Sequence, residues 1–513
     1  MVSENAQGRA TRGDHPAAMS ASEQGTQNES GLLRGLLGTG DIIFMILACA
    51  APMGVLAGIV PLAIGLGNGV GVPGTQLVVS LVMMLFAMGY VRMIPHVRNA
   101  GAFYAYIALS LNKEAGVAAA YVAVTAYICA AASVLGAMAF FASDLVHNVS
   151  GMNVRWEWWA ALGILAIAWL GYHKITMAAH VLTVALLLEV GLILLIDGMI
   201  LYRAGLSSLS LTSFTPHAIL APGLGIALIY AISGCIGFEA TAIYQEEARN
   251  PERTIPRATY GAVLILGTFY VLSSWCLIVA LTPEQAQQAA AADPGRLASG
   301  IALRYLGEPG RDALSLLTVT SLFAAALGFF NNITRYLYAL SRDGLIPARL
   351  SHTHHRHGSP HVAASFLTMT LAAIIGLFAV AGLDPLLSLS TSLSSMGAVG
   401  LEILLATTSL SIPAFFVRRG DIGFGTVGAP LIAGISIAVI TYLSLANYSA
   451  LTGTTLTIVN RLPLIFLGVV TLGLLQGLWL RRYRPAIYAK VGSTHVEGDL
   501  APAPAPAASP ALA

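Results

Sequence analysis

About twelve apolar segments, each long enough to cross a lipid bilayer as a helix of roughly 20 residues, follow one another along this chain. Hydrocarbon offers the backbone no hydrogen-bonding partner, so a crossing segment must pair its N–H and C=O groups within a helix or a closed barrel. Unbroken apolar runs of this length predict an all-α integral membrane protein with about 12 transmembrane helices. Their approximate bounds are 37–64, 73–94, 114–147, 156–173, 177–202, 221–244, 259–281, 311–340, 361–382, 385–416, 427–447 and 462–481.

Composition excludes several other classes of protein. Hydrophobic residues make up 56% of the 513 residues and charged residues only 10%, where a soluble protein carries about 25%. The net charge of +2 gives no basis for binding nucleic acid. None of the lysines (Lys113, Lys174 and Lys490) follows a glycine, so the chain lacks a Walker-type ATP loop. HExxH and GxSxG motifs are missing too, so we predict neither an enzyme nor a cofactor.

Metal-ligand patterns are equally sparse. The cysteines lie in apolar segments and form no CxxC pair, so we expect buried thiols at Cys49, Cys129, Cys235 and Cys276. Five histidines fall within residues 351–361, but no acidic residue or cysteine lies near them in the sequence. We therefore predict a polar loop there and no metal site.

The distribution of positive charge predicts an orientation in the membrane. Alternating the loops between the two sides places most of the 26 Lys and Arg residues on the side of the N-terminus. The opposite side receives Arg155, Arg203, Arg296, Arg304, Arg311 and Arg461. Positive charge is retained on the cytoplasmic side of membranes, so both termini are predicted to be cytoplasmic.

Two of the apolar segments carry helix-breaking residues. The first reads ILACAAPMGVLAG over Ile46–Gly58, and Pro52 lacks the N–H that a continuous helix needs. We expect unwinding near residues 50–54. The sixth segment has a second break near Ser233–Gly237, within the sequence SGCIG. An alternative reading is that proline and glycine merely kink packed helices at both places.

Paired breaks in corresponding helices of two halves are the best sequence indicator of a transporter binding site. Two half-helices then present free N–H groups, which suit a carboxylate, and free C=O groups, which suit an ammonium. A zwitterionic amino acid needs both. The predicted substrate-binding residues are Ala50, Ala51, Met53, Gly54, Ser233, Gly234, Cys235, Ile236 and Gly237.

Four motifs resemble the amino acid–polyamine–organocation (APC) superfamily of secondary transporters. They are GFE over Gly237–Glu239, EEARNPERTIPRA over Glu246–Ala258, AGAFYAY over Ala100–Tyr106 and RYLYALSRDGLIP over Arg335–Pro347. The resemblance implies a five-plus-five inverted repeat of the leucine-transporter type with two additional helices. It also implies that the first and sixth helices bind the backbone groups of the substrate.

On this interpretation the chain has three parts. Residues 1–34 and 485–513 are predicted to be disordered cytoplasmic tails, the second rich in Ala and Pro. Residues 35–484 form the transporter domain, with repeats over about 37–202 and 221–416 and extra helices over about 427–481. An amphipathic stretch near 101–112 is expected along the membrane interface.

The chain also departs from the family pattern. Many members carry G-[ST]-G at the first break, where this sequence has Ala50-Ala51-Pro52-Met53-Gly54. Some relatives place a gating aromatic residue near the sixth-helix break, where this chain has Ser233 or Cys235. We therefore expect a roomier pocket, or a gate from another helix. Further pocket candidates are Tyr127, Ser133 and Phe330.

Five acidic residues lie at membrane depth, where an ionised group costs about 2.5–3.5 kcal/mol at the centre. Asp41 and Asp197 lie near helix ends, so we expect their side chains to reach water. The three predicted coupling or gating residues are Glu239, Glu189 and Glu402. Glu189 is a candidate proton carrier because removal from water favours the neutral carboxyl. For each, structural hydrogen bonding is the alternative.

The sequence thus predicts a secondary active transporter of amino acids in the cytoplasmic membrane, with a proton as the coupling ion and the lipid bilayer as its surroundings. Alternatives are a polyamine or other organic amine permease, or an amino acid exchanger. Low pocket polarity favours neutral amino acids. The charged loop over 246–257 is expected to form ion pairs that close the cytoplasmic face.

Overall fold

The computed structural model describes residues 37–97, 103–172, 176–205, 209–246, 248–352, 360–452 and 454–492. The predicted tail over 1–34 lies outside these ranges, as do residues 493–513 of the second tail and three of the five clustered histidines.

The described chain is almost entirely helical, and we number its spanning helices α1 to α12. Eleven are long and apolar enough to cross a membrane, and α4 is a shorter apolar helix. Their bounds are Thr39–Leu66, Gly69–His96, Lys113–Ser150, Trp156–Tyr172, Thr176–Ala204, Leu224–Glu246, Pro251–Leu281, Leu297–Arg342, His361–Val380, Pro385–Val417, Phe424–Leu451 and Leu462–Tyr483. The prediction of an all-α membrane protein is confirmed.

Helix α1 is interrupted where proline follows a short alanine run. Its first half ends at Ala50, and Ala51 adopts a left-handed conformation with φ 47°. Pro52 then begins the second half, where its missing N–H costs no helical hydrogen bond. The N–H of Val55 donates to the C=O of Ala51, so the new helix starts directly after the break.

Helix α6 is interrupted at Ile236 and Gly237. The α-helical half ends at Cys235, Ile236 is extended with ψ 131°, and Gly237 has φ 116°, which a side chain rarely tolerates. The chain continues as a 3₁₀-helix over Phe238–Glu246. The two described interruptions thus fall in the first and the sixth spanning helices.

Helix α3 is the element around which the bundle packs. It contacts α8, α10 and α12 along its length and is rich in buried alanine. Small residues permit close helix approach in membranes, where van der Waals packing drives association. A Cβ added at Gly473 of α12 would lie 2.4 Å from the Cα of Ala118, so the two backbones are in direct contact there.

We call the side on which α1 begins and α12 ends the terminal side, and the opposite side the far side. On the terminal side, the N–H of Arg249 donates to the C=O of Leu37 at 2.9 Å. Lys113 at the start of α3 donates through Nζ to the C=O of Tyr488 at 3.0 Å.

Two expectations about peripheral segments are wrong. The stretch predicted at the membrane interface forms the helix Phe103–Ser110, whose residues Phe103 to Ala108 are all buried in the protein. Its aromatic side chains pack inward against α2 and α8. The tail predicted to be disordered from residue 485 begins as the helix Pro485–Lys490, which Lys113 holds through its ammonium.

We expect Gly237→Ala to destabilise the protein, because its φ would impose about 1–3 kcal/mol of backbone strain on alanine. An added Cβ meets only ordinary contacts, the nearest at 3.5 Å, so strain and not collision is tested. Melting temperature in detergent is the measurement. Gly198→Ala, on a helical residue with open space around it, is the matched control. Equal melting temperatures for both variants would contradict the assignment of the α6 break.

Candidate substrate site

A cavity of about 70 Å³ lies beside both helix breaks. Residues of α1, α3, α6, α8 and α10 line it. Five of the predicted substrate-binding residues are among them, namely Ala50, Ala51, Gly54, Ser233 and Ile236. On the second half of α1 the lining continues through Val55 to Leu62, so the cavity extends toward the far side.

The other predicted residues do not line the cavity, because helical geometry turns them away. Cys235 follows Ser233 by two residues, or about 200° around the helix, and its Sγ instead accepts a hydrogen bond from Gln76 Nε2 at 3.8 Å. Gly234 faces Val55, and Gly237 faces Cys49. Met53 is buried behind the break.

Among the additional candidates, only Ser133 lines the cavity. Its hydroxyl donates to the C=O of Ser390 at 2.9 Å, which joins α3 to α10. Tyr127 and Phe330 do not line the cavity, and Phe329 does. Adjacent residues of a helix point about 100° apart, so an error of one position moves a side chain out of the site.

Tyr230 is a cavity residue that the sequence analysis missed. It lies one helical turn before Ser233, on the same face of α6. Within the described chain, the buried hydroxyls of Tyr230 and Ser233 have no hydrogen-bonding partner. An unpaired buried polar group costs about 1–3 kcal/mol. Tyr230 thus places an aromatic group of α6 in the cavity, where we expected a roomier pocket or a gate from another helix. A ligand would gain by pairing both hydroxyls.

The breaks place opposite helix ends against the cavity. The second half of α1 begins at Pro52, and its N-terminal end carries partial positive charge that suits a carboxylate. The first half of α6 ends at Cys235 with carbonyl groups that suit an ammonium. One carbonyl of α1 is already occupied, since Tyr270 of α7 donates its hydroxyl to the C=O of Ala50 at 3.2 Å.

The lining of the cavity is uncharged. Among its residues within the described ranges there is no Asp, Glu, Lys, Arg or His. Its polar side chains are hydroxyls and the thiol of Cys49, and the remainder are aliphatic or aromatic. The site therefore offers charge complementarity only through the helix ends, which match the two backbone charges of an amino acid.

Glu239 lies on the terminal side of the cavity, and its hydrogen bonds connect α2, α3 and α6. It is 2% exposed, and Tyr127 of α3 donates to its Oε1 at 2.8 Å. The N–H of Gly237 donates to Oε2 at 2.9 Å, which satisfies a backbone group freed by the break. Tyr90 of α2 donates to the backbone C=O of Glu239 at 3.0 Å.

The other two predicted coupling residues differ in position. Glu189 of α5 is 2% exposed and lies against the backbone N–H of Met53 and the hydroxyl of Ser321, directly behind the α1 break. Glu402 is fully buried between α10 and α11, where Ser444 donates to its Oε1 at 2.9 Å. Glu402 lines neither the cavity nor a break, and its coupling role stays a prediction.

The two carboxylates expected to reach water behave differently. Asp41 is exposed and accepts a hydrogen bond from the N–H of Gly38, as a residue in the first turn of α1 can. Asp197 is 3% exposed, and Ser273 of α7 donates to its Oδ2 at 2.7 Å. The expectation for Asp197 is wrong because α7 packs over this part of α5 and keeps the side chain from water.

The terminal side is closed by aromatic and polar contacts. Tyr244 of α6 donates to Asn332 of α8 at 2.8 Å, and the guanidinium of Arg335 lies 5.0 Å from the centre of the Tyr244 ring. Tyr104 is hydrogen-bonded to Asp343. The loop after α6 was predicted to supply this closure through ion pairs. Its described arginines are instead exposed and form no ion pair with any described residue; they are Arg249, Arg253 and Arg257.

The part of the chain that the structure describes contains no group of three potential metal ligands. All four cysteines are free and buried, as predicted.

A family model described as amino acid permease matches residues 37–474. The Branched-chain amino acid permease BcaP of Bacillus subtilis (strain 168) is 28% identical over 213 residues, 41% of this chain and 42% of that protein. Cationic amino acid transporter 3, mitochondrial, of Arabidopsis thaliana is 25% identical over 276 residues, 53% of this chain and 42% of the transporter. The Low-affinity putrescine importer PlaP of Escherichia coli (strain K12) is 25% identical over 350 residues, 66% of this chain and 73% of the importer.

The chain therefore matches less than half the length of the first two of these relatives. Among solved structures, a manganese transporter of Eremococcus coleocola in complex with an aromatic bis-isothiourea substituted compound has a TM-score of 0.49 and 13% identity. That likeness covers 88% of this chain and 94% of the other.

We expect Tyr127→Phe to lower the melting temperature, because a buried carboxylate would lose one of its hydrogen-bond donors, at about 1–3 kcal/mol. Thermal unfolding in detergent measures the change. Tyr202→Phe is the control, since Tyr202 is 83% exposed at the end of α5. If Tyr127→Phe melts like the control, the Tyr127 bond is not what holds Glu239.

Proposed function

The chain belongs to the amino acid permease family, and we propose that it is a secondary active transporter that carries neutral amino acids across the cytoplasmic membrane by proton symport. In this proposal both termini are cytoplasmic, so the terminal side faces the cytoplasm and the cavity extends toward the exterior. An exchange of amino acids across the membrane is the second candidate.

One observation carries the choice of substrate: a cavity without charged side chains lies between two oppositely polarised helix ends. The helix ends supply partners for one carboxylate and one ammonium. A second positive charge would enter an apolar cavity without a carboxylate to pair with, and burying an unpaired charge is costly. The name of the branched-chain permease gives a neutral kind of substrate, and those of the cationic transporter and the putrescine importer give positively charged kinds. The uncharged cavity favours the first kind.

The cavity also sets a scale for the substrate. Its volume of about 70 Å³ admits several water-sized groups, since about 10–15 Å³ holds one. Tyr230, Phe141 and Phe329 give it apolar walls suited to an aliphatic side chain. The hydroxyls of Tyr230 and Ser233 lie where they can bind substrate polar groups.

Coupling is assigned to Glu189 and Glu239, which adjoin the two breaks. Glu189 lies against the backbone of Met53, and Glu239 accepts from the N–H of Gly237. Binding or loss of a proton at either carboxyl therefore changes a contact with a backbone segment that must rearrange during transport. One proton moved across 100 mV supplies about 2.3 kcal/mol, roughly a 50-fold concentration gradient.

The closed terminal side fits an alternating-access cycle. Glu239 connects the α6 break to Tyr127 and Tyr90, and the Tyr244–Asn332 and Tyr104–Asp343 contacts lie farther toward the terminal side. These contacts must separate before a substrate can leave in that direction. A cavity that extends only toward the far side corresponds to the state that accepts substrate from there.

We expect purified protein in proteoliposomes to accumulate a neutral amino acid several-fold when an inward proton gradient is imposed. Radiolabelled leucine, alanine and serine are compared with arginine and putrescine. Sodium gradients should have no effect. Uptake of arginine or putrescine alone would overturn the assignment of a neutral substrate. Accumulation that follows sodium, or that requires preloaded amino acid, would overturn proton symport.

We expect Tyr230→Phe and Ser233→Ala each to raise the KM for the neutral substrate about fivefold, the equivalent of about 1 kcal/mol for one lost hydrogen bond. Initial uptake rates over a range of substrate concentrations give the value. Tyr202→Phe serves again as the control, because it removes an exposed hydroxyl far from the cavity. An unchanged KM in both variants would remove these hydroxyls from the binding site.

A further inference from the structure

Asp197 is a buried carboxylate that the proposed substrate site does not use. It lies on the far-side half of α5 and accepts a hydrogen bond from Ser273. None of the described residues supplies it with a cationic partner. A carboxylate at this depth is expensive, and acids inside membrane proteins commonly mark ion or proton pathways.

Polar groups continue from Asp197 toward the α1 break along the α5–α7 interface. Ser273 lies one turn of α7 from Tyr270, and the Tyr270 hydroxyl donates to the C=O of Ala50 at 3.2 Å. On α5, Glu189 precedes Asp197 by eight residues, a rise of about 12 Å toward the break. We call Asp197, Ser273, Tyr270 and Glu189 the α5–α7 polar file.

Apolar side chains surround this file. Ile193 and Ile196 of α5 are buried beside Asp197, and Leu266 and Leu277 of α7 are buried on either side of Tyr270 and Ser273. A row of hydroxyls and carboxyls in such surroundings is not needed to pack two helices. None of the four residues of the file lines the substrate cavity, so the file is a separate feature.

The charged and titratable groups near the file are few. The thiol of Cys276 on α7 lies against Asp197, and Tyr270 and the Ser321 hydroxyl of α8 lie near Glu189. At the far-side ends of α5 and α8, Arg203 lies 5.4 Å from the Tyr305 ring and Arg304 donates to the C=O of Ala280. No described Arg, Lys or His forms an ion pair with Asp197 or Glu189.

We propose that the α5–α7 polar file conducts the coupling proton from the far side to the α1 break, with Asp197 as the first acceptor. The inference rests on the proposed proton symport. In this proposal far-side water enters between α5 and α7 during the transport cycle and delivers a proton to the otherwise buried Asp197 carboxylate. Transfer of a proton to the Glu189 carboxylate through hydroxyls and this water regenerates ionised Asp197. Glu189 later releases the same proton toward the terminal side. Substrate and proton thus reach the α1 break by different routes and meet there.

The test compares Asp197→Asn and Ser273→Ala with the parent protein in proteoliposomes. A pH-sensitive dye in the lumen reports proton entry driven by a neutral amino acid. Counterflow of that amino acid at equal pH reports substrate binding and the conformational cycle without net proton movement. Asp312→Asn, which alters a partly exposed far-side carboxylate paired with Arg311, is the matched control.

We expect Asp197→Asn to lower substrate-driven proton entry at least tenfold while counterflow stays within twofold of the parent. Ser273→Ala should lower proton entry severalfold with the same preserved counterflow, and Asp312→Asn should change neither. Proton entry at the parent rate in Asp197→Asn overturns the inference. A loss of counterflow as large as the loss of proton entry also overturns it, because it would show a structural role for Asp197. If Asp197→Asn does not fold, Ser273→Ala decides by the same criteria.

The inference and the proposed function fail in distinguishable ways. A parent protein that takes up amino acid without moving protons overturns the proposed symport itself. A proton-coupled parent protein with an unaffected Asp197→Asn variant overturns only the route through the α5–α7 polar file.

Discussion

Unpaired backbone groups cannot face hydrocarbon, and that constraint organises this protein around its two broken helices. At Ala51 and Gly237 the chain leaves helical geometry in the middle of the bundle. The surrounding helices must therefore enclose these groups, leave them in a cavity, or supply side chains that pair with them. Tyr270 pairs with the C=O of Ala50, Glu239 pairs with the N–H of Gly237, and the remaining polarity at the breaks adjoins the cavity.

The same constraint keeps acidic side chains out of the cavity lining. No buried acid of the described bundle lines the cavity. Glu239 and Asp197 accept hydrogen bonds from tyrosine, serine or backbone groups, while Glu114, at the start of α3, pairs with Arg481. In the proposed function, selectivity depends on the helix ends and hydroxyls, and coupling depends on the carboxyls of Glu189 and Glu239, which adjoin the breaks. Glu239 shows the consequence most directly, since one side chain caps a half-helix and connects it to α3.

Sequence reasoning succeeded where a single segment carries the information. The lengths of the apolar runs gave the spans to within a few residues for most helices, because the bilayer thickness fixes how long each must be. Pro52 and Gly237 indicated both breaks in the sequence, because proline lacks a backbone N–H and glycine readily adopts a positive φ. Sequence reasoning failed for the stretch near 101–112. Its aromatic residues are compatible with either a headgroup or a protein neighbour, and α2 and α8 provide the neighbour.

The sequence alone determined that this chain crosses a membrane about twelve times, breaks its first and sixth helices and resembles amino acid transporters. Only the tertiary structure decided which faces of those helices meet. Ser233 and Tyr230 line the cavity while Cys235 faces Gln76, a choice set by how α6 is rotated against α1, α2 and α3. Likewise Asp197 is buried because α7 covers it, although its distance from the helix end suggested access to water. Rotation and neighbour identity come from packing among helices far apart in the chain, and local residue patterns do not encode them.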